Sequence, residues 1–213
     1  MNPQYQTEED LQFQAVSEQV KNTLNAELNS HAQWVSDELA RTKSEREAVK
    51  NQIERIAKSL HPQASTYIYG SIAQGIALQD SDIDIAITGI KCGCVKDRLV
   101  EEQNRIFDKL QSELGPFLIE SKNIETAQIP IIKLELDSKI VSTSSSRVIK
   151  VDLTIVDADD YQKLEKLKEA VRFVQESIER WPALKPVILF LKRVFIKHDL
   201  LDLYTGGISS YSL

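Results

Sequence analysis

Residues 67–86 read Y-I-Y-G-S-I-A-Q-G-I-A-L-Q-D-S-D-I-D-I-A, and the chemistry-bearing residues of the chain concentrate there. An apolar strand at Tyr67, Ile68 and Tyr69 runs into Gly70-Ser71, a short helical stretch follows, and a second strand opens with Asp82-Ile83-Asp84. Side chains alternate along a strand, so Asp82 and Asp84 share one face while Ile83, Ile85 and Ile87 point to the core. Two neighbouring carboxylates repel each other and raise one pKa unless a cation relieves them. An all-oxygen pair of this kind suits magnesium or manganese, which keeps some waters and takes further ligands from a phosphate. Gly70 allows close approach of a ligand, and Ser71 opens a helix whose free N–H groups attract phosphate. A third carboxylate comes from residues 147–156, where Ile149, Val151, Leu153 and Ile155 form an apolar face and leave Asp152 opposite, with Lys150 and Thr154. A D-x-D alone is most often a solvated turn. Together with the upstream Gly-Ser and an aspartate inside a later apolar strand, it reads as a metal and phosphate site.

The elements that must position these residues can be taken in order. Val16, Val20, Leu24, Leu28, Val35 and Leu39 recur at helical spacing after a polar start over residues 1–10, which is expected to be disordered. Ser44 with Glu47 predicts a capping box, and Val49, Ile53, Ile56 and Leu60 stripe a second helix that Pro62 ends. Residues 98–114 form a further amphipathic helix, residues 129–136 a strand, and the serine-rich 142–146 a connection into the strand of Asp152. Helices are expected over 157–180 and 187–198, with Pro186 suited to a first helical turn. Gly206-Gly207 breaks the chain before Ser209-Ser210-Tyr211 opens another helix.

Composition narrows the function classes. The chain has 213 residues, 42% of them hydrophobic, and a net charge of −6. Residues 61–160 hold sixteen acids against ten bases, and residues 161–213 six against nine. An acidic centre fits metal capture, while a polyanion would need the basic segment or a partner. Cys92 and Cys94 lack a second pair and a nearby histidine, so neither a disulfide framework nor a four-ligand zinc site is expected. The longest apolar run, 187–191, cannot span a bilayer and the N-terminus lacks signal-peptide character, so no membrane partner is expected. An intracellular protein is expected.

Five ordered blocks carry a family resemblance: Y-G-S-I-A-Q-G-I-A-L-Q-D-S-D-I-D ending at Asp84, I-P-I-I-K-L from Ile129, V-D-L from Val151, L-K-P-V-I-L-F-L-K-R from Leu184, and T-G-G-I-S-S-Y-S from Thr205. In these blocks the chain resembles the DNA polymerase β-like nucleotidyltransferases, and within them the template-independent RNA-tailing branch of TRAMP-type poly(A) polymerases and poly(U) relatives. The resemblance implies an α/β (α+β) fold: a nucleotidyltransferase palm with a mixed sheet over residues 61–157, and a partial, discontinuous helical domain from 11–60 and 158–213. It implies attack of an RNA 3′-hydroxyl on a nucleoside triphosphate, with ATP the favoured substrate and UTP the runner-up. Asp82, Asp84 and Asp152 would be the catalytic metal ligands for two magnesium or manganese ions. Gly70, Ser71, Lys192 and Ser210 would meet the triphosphate, and Tyr211 the base. A zinc-knuckle RNA-binding partner is also implied, and so is the nucleus over the cytoplasm. The family's ribose contacts after the third aspartate are not matched by V-D-A-D-D-Y-Q-K from Val156, so no ribose ligand is assigned. Ending about six residues into a helix, the chain is expected to be a truncated piece, nearly inactive by itself. A catalytically silent subunit with this fold is the alternative from another class.

Overall fold

The computed structural model describes residues 8–126, 129–141 and 147–200. It is a mixed α+β structure, and the chain divides into two compact units: Met1–Asp37 with Pro182–Leu213, and Glu38–Trp181. Among the described residues no helix is long and apolar enough to cross a membrane.

The second unit is built on one five-stranded sheet in the order β1-β2-β5-β4-β3. Its strands are β1 (Ser65–Ile68), β2 (Ile83–Ile90), β3 (Leu118–Ile124), β4 (Ile131–Asp137) and β5 (Val148–Asp157). The β2–β5 pair is parallel, and the other three pairs are antiparallel. Ile83, Ile85, Ile87, Ile132, Leu134, Leu136, Val151 and Leu153 are buried from three strands in one cluster. Val49, Ile53 and Ile56 of α2 (Lys43–Leu60) and Ile106, Leu110 and Leu114 of α4 (Lys96–Leu114) close that cluster from above. Their spacing of three and four residues brings one face of each helix onto the sheet. Full burial of each such aliphatic side chain stabilises by roughly 2 kcal/mol. Because the apolar positions of β2, β4 and β5 all face α2 and α4, the alternate positions Asp84, Lys133, Lys150 and Asp152 are carried on the opposite face.

α2 is also tied to the sheet by polar contacts. Glu54 accepts from the Thr66 hydroxyl at 2.7 Å and the Thr66 N–H at 3.2 Å, and pairs with Lys58 at 2.5 Å. The Lys58 hydrogen bond, and then that of Thr66, hold the Glu54 carboxyl at about 2, below its ordinary range. A depressed folded-state pKa stabilises the fold above the unfolded value and is lost as pH falls through the folded one. Glu54→Gln is therefore expected to lower stability near pH 7 by about 1 kcal/mol, the small size reflecting solvent screening. The gap from wild type should narrow below about pH 4.5, and a gap that widens on acidification in thermal melts would refute the assignment.

Local differences from the expectations have local causes. The Ser44–Glu47 capping box does not form, because α1 (Glu8–Arg41) runs into α2 across Thr42 alone. Ser44 is therefore the second residue of α2 and not its N-cap, and the first intrahelical bond runs from the Arg46 N–H to the Thr42 carbonyl at 3.2 Å. Residues 8–10, expected to be disordered, begin α1. β3 was not anticipated, since L-I-E-S-K-N-I lacks apolar alternation and the strand exists through its pairing with β4. Residues 157–160 are not helical: β5 continues to Asp157, and Asp160 caps α5 (Tyr161–Arg180) by accepting from the Lys163 N–H at 3.1 Å. Residues 142–146 lie outside the described residues.

In the first unit, Ala32 and Val35 of α1 are buried, as are Ile188 and Leu189 of α6 (Leu184–Lys197). Lys185 donates to the Ser36 hydroxyl at 3.0 Å. Pro186 falls in the first turn of α6, where its missing N–H has no helical partner to lose.

Candidate functional site

The sheet's register assembles the site. Asp84 on β2 pairs in parallel register with Asp152 on β5, and Asp152 in turn faces Lys133 on β4. Asp84, Asp152 and Lys133 therefore form one row across three strands, on the face away from α2 and α4. Lys133 Nζ donates to Asp152 Oδ2 at 2.6 Å. In the adjacent row Lys150 faces Glu135, with 3.9 Å between the charged atoms. Opposite charges thus face each other between β4 and β5, while the two aspartates face each other between β5 and β2. Cross-strand like charges are destabilising, so the aspartate pair is a local cost within a favourable sheet.

Asp82 lies one residue ahead of β2. Burial and then the Asp152 charge push its pKa up, against the pull of Lys133 and Lys150. Asp82 is thus coupled by charge to Asp152 in the row. For Lys133, burial works against the ammonium, but the Asp152 hydrogen bond and the charges of Asp152, Asp82 and Asp84 outweigh it and raise the pKa.

Gly70 shows how tightly the turn is fitted to this row. It has φ +64, and a Cβ built on it would lie 2.0 Å from Asp84 Oδ2. Only glycine fits there, because both the left-handed backbone and the approach of the carboxylate exclude a side chain. Tyr69 anchors the same turn: its N–H donates to the Asp84 carbonyl at 3.0 Å, and its hydroxyl is 3.1 Å from the Thr154 hydroxyl. Gly70 and Ser71 begin α3 (Gly70–Gln74), one short turn against the carboxylate row.

Of the other residues expected from the sequence, Lys192 is buried on α6 of the first unit, at 5% exposure. Ser210 and Tyr211 lie outside the described residues. Lys133, Tyr69 and Thr154 were not singled out from the sequence. The alternation I-I-K-L-E-L does put Lys133 outward, but which aspartate it meets depends on the pairing of strands nineteen residues apart.

Among the described residues no group of three His, Cys, Asp or Glu side chains is gathered closely enough to hold a metal ion. The donor chemistry nevertheless fits a hard divalent cation. Asp84 and Asp152 are register neighbours of like charge, Asp82 is pushed toward protonation, and the Lys133 ammonium already sits on Asp152.

Comparison with known proteins agrees with this architecture. The family described as "Poly(A) RNA polymerase, mitochondrial-like, central palm domain" matches residues 24–159. The poly(A) RNA polymerase cid14 of Schizosaccharomyces pombe is 28% identical over 183 residues, which are 83% of this chain and 24% of that protein. Trf4-2 of Drosophila melanogaster, named as an inactive poly(A) RNA polymerase protein, is 25% identical over 164 residues, 76% of this chain and 35% of that one. A structure of the Cid1 poly(U) polymerase with MgGTP superposes with TM-score 0.67 at 20% identity, covering 89% of this chain and 53% of that one. The chain thus spans about a quarter to a third of these curated relatives and about half of the solved structure. With more than half its length matched by the family's palm domain, in the sheet that carries the aspartate row, the chain belongs to the poly(A) RNA polymerase-like terminal nucleotidyltransferases.

Proposed function

We propose that this chain is the palm-bearing part of a template-independent RNA 3′-end nucleotidyltransferase that adds adenylate from ATP. The observation that carries the reading is the register pair Asp84–Asp152 with Gly70 backed onto the Asp84 carboxylate. Asp82, Asp84 and Asp152 are the residues that would hold magnesium or manganese. Bound there, the metal would supply positive charge to a transferring phosphoryl group and favour an ionised RNA hydroxyl. The chain's own part is to hold the three carboxylates together on one face of β2 and β5 and to bring the Gly70-Ser71 turn against the triphosphate. Lys133 holds the Asp152 carboxylate in place through their hydrogen bond. Lys192, Ser210 and Tyr211 are proposed further nucleotide contacts, and a zinc-knuckle protein is a proposed RNA-binding partner. The preference for adenylate is supported by relatives named as poly(A) polymerases. Uridylate is the second reading, favoured by fold neighbours described as poly(U) polymerases.

Incubating labelled RNA with each nucleoside triphosphate and magnesium tests this reading. Weak metal-dependent extension is expected of this chain by itself, largest with ATP, together with a metal-dependent rise in melting temperature when ATP is added. Neither extension nor a nucleotide-dependent shift would refute the enzyme reading and favour a silent subunit. Lys133→Met gives a more local check. Without the ammonium, Asp152 is left beside Asp84, so the metal-free melting temperature should fall and the magnesium-induced rise should grow. An equal magnesium response in both proteins would show that no metal binds at Asp152.

A further inference from the structure

At the starting ends of β2 and β5 the second unit holds a cleft of about 300 Å³. Its charged lining is Arg46, Arg147 and Lys150 against one acid, Asp80, in a chain whose net charge is −6. Arg46 is held by its own backbone neighbourhood, donating to the Thr42 hydroxyl and the Leu39 carbonyl. Arg147 pairs with Glu45 and is still 35% exposed, and Lys150 is 53% exposed. The two guanidiniums sit near enough that, after burial, the Arg147 charge is the next cause lowering the Arg46 pKa. Glu45 and Glu47 offset part of that crowding, and a bound anion would relieve the rest, as a metal relieves two crowded carboxylates. Guanidinium forks match phosphate oxygens in shape as well as charge.

The position of the cleft names the anion. Ser81 in its wall is followed directly by Asp82, and Lys150 lies two residues before Asp152 on the same face of β5. Two strand residues span about 7 Å, a distance one nucleotide of an extended strand can bridge. The Lys150 charge already acts on Asp82. We propose that this cleft is a phosphodiester site, in which Arg46, Arg147 and Lys150 hold backbone phosphates of the RNA strand whose 3′ end lies at Asp82, Asp84 and Asp152. It rests on the nucleotidyltransferase reading above, and gives an otherwise acidic palm the local positive charge that single-stranded RNA requires.

The test uses the whole 213-residue chain and a short single-stranded RNA ending in a 3′-deoxynucleotide, without nucleoside triphosphate. Binding is followed by fluorescence anisotropy over a range of salt, so it needs no turnover and is independent of whether the extension assay succeeds. Arg147→Ala and Lys150→Gln are each expected to weaken binding about tenfold at low salt. Each should also flatten the plot of log affinity against log salt by about 0.7 for every phosphate that is no longer neutralised. Lys150→Gln removes only an exposed ammonium, which guards against loss through misfolding, and Arg147→Lys should recover part of the affinity and most of the salt slope. The ATP-dependent melting shift should be unchanged in both Arg147 variants. Unchanged RNA affinity and slope would overturn the proposal, and a loss confined to ATP binding would overturn it by giving the cleft to the triphosphate.

Discussion

Asp84→Asn is expected to reduce RNA extension at least about a thousandfold, about 4 kcal/mol of transition-state stabilisation, while leaving the chain folded. The amide keeps the shape that packs against the Gly70 turn, but it removes one charge from the pair facing Asp152. Two consequences should therefore separate. Activity and the magnesium-dependent rise in melting temperature should be lost, because the site no longer offers adjacent carboxylates. Metal-free stability should rise by a few tenths of a kcal/mol, because a cross-strand like-charge repulsion has gone. A scaffold in which this aspartate only packs would instead lose stability without losing metal response. Extension at wild-type rates by the variant would show that the row is not the catalytic site.

Gly70→Ala should be strongly damaging although it replaces no charged group. Its Cβ would fall 2.0 Å from Asp84 Oδ2 at a residue with φ +64. Gly75 provides the control, since its φ is +77 but nothing lies within 4 Å of an added Cβ. Gly75→Ala should lose only the roughly 1 to 2 kcal/mol that a left-handed conformation imposes on a residue with a side chain. Gly70→Ala should lose that amount, and must also displace the Asp84 carboxylate. A fall in extension of about a hundredfold beyond the Gly75→Ala variant is expected, since misplacing a catalytic group by about an ångström has effects of that size. Equal activity and equal stability in the two variants would show that the turn does not position Asp84.

Much of the site was legible in the residues themselves. Asp84 and Asp152 interrupt apolar runs at a period of two, so each had to stand on the face opposite its isoleucine, valine and leucine neighbours. The Gly-Ser pair upstream of the D-x-D marked a turn leading into a helix, and α3 starts at Gly70. Patterns of this kind are local: they depend on the geometry of one segment and on which of its faces is apolar. Where one segment's environment was set by another, the pattern failed. The helix start expected at Ser44 fell instead at Thr42, because α1 runs up to it, and β3 took its conformation from β4.

The sequence by itself determined which residues face outward from the sheet and which helix faces are apolar, because pleat and helical pitch alone make neighbours of residues two, three or four apart. Only the tertiary structure decided that Asp152 stands between Asp84 and Lys133, that Asp84 lies against Gly70, and that Arg46 meets Arg147 beside the same strand ends. Those contacts join segments separated by fourteen to about a hundred residues, and their partners are chosen by strand order and register. Register in turn is fixed by burying Ile83, Ile85, Val151, Leu153, Ile132 and Leu134 together on one face. A slip of one residue on any of the three strands would expose that apolar set and turn the charged row into the core.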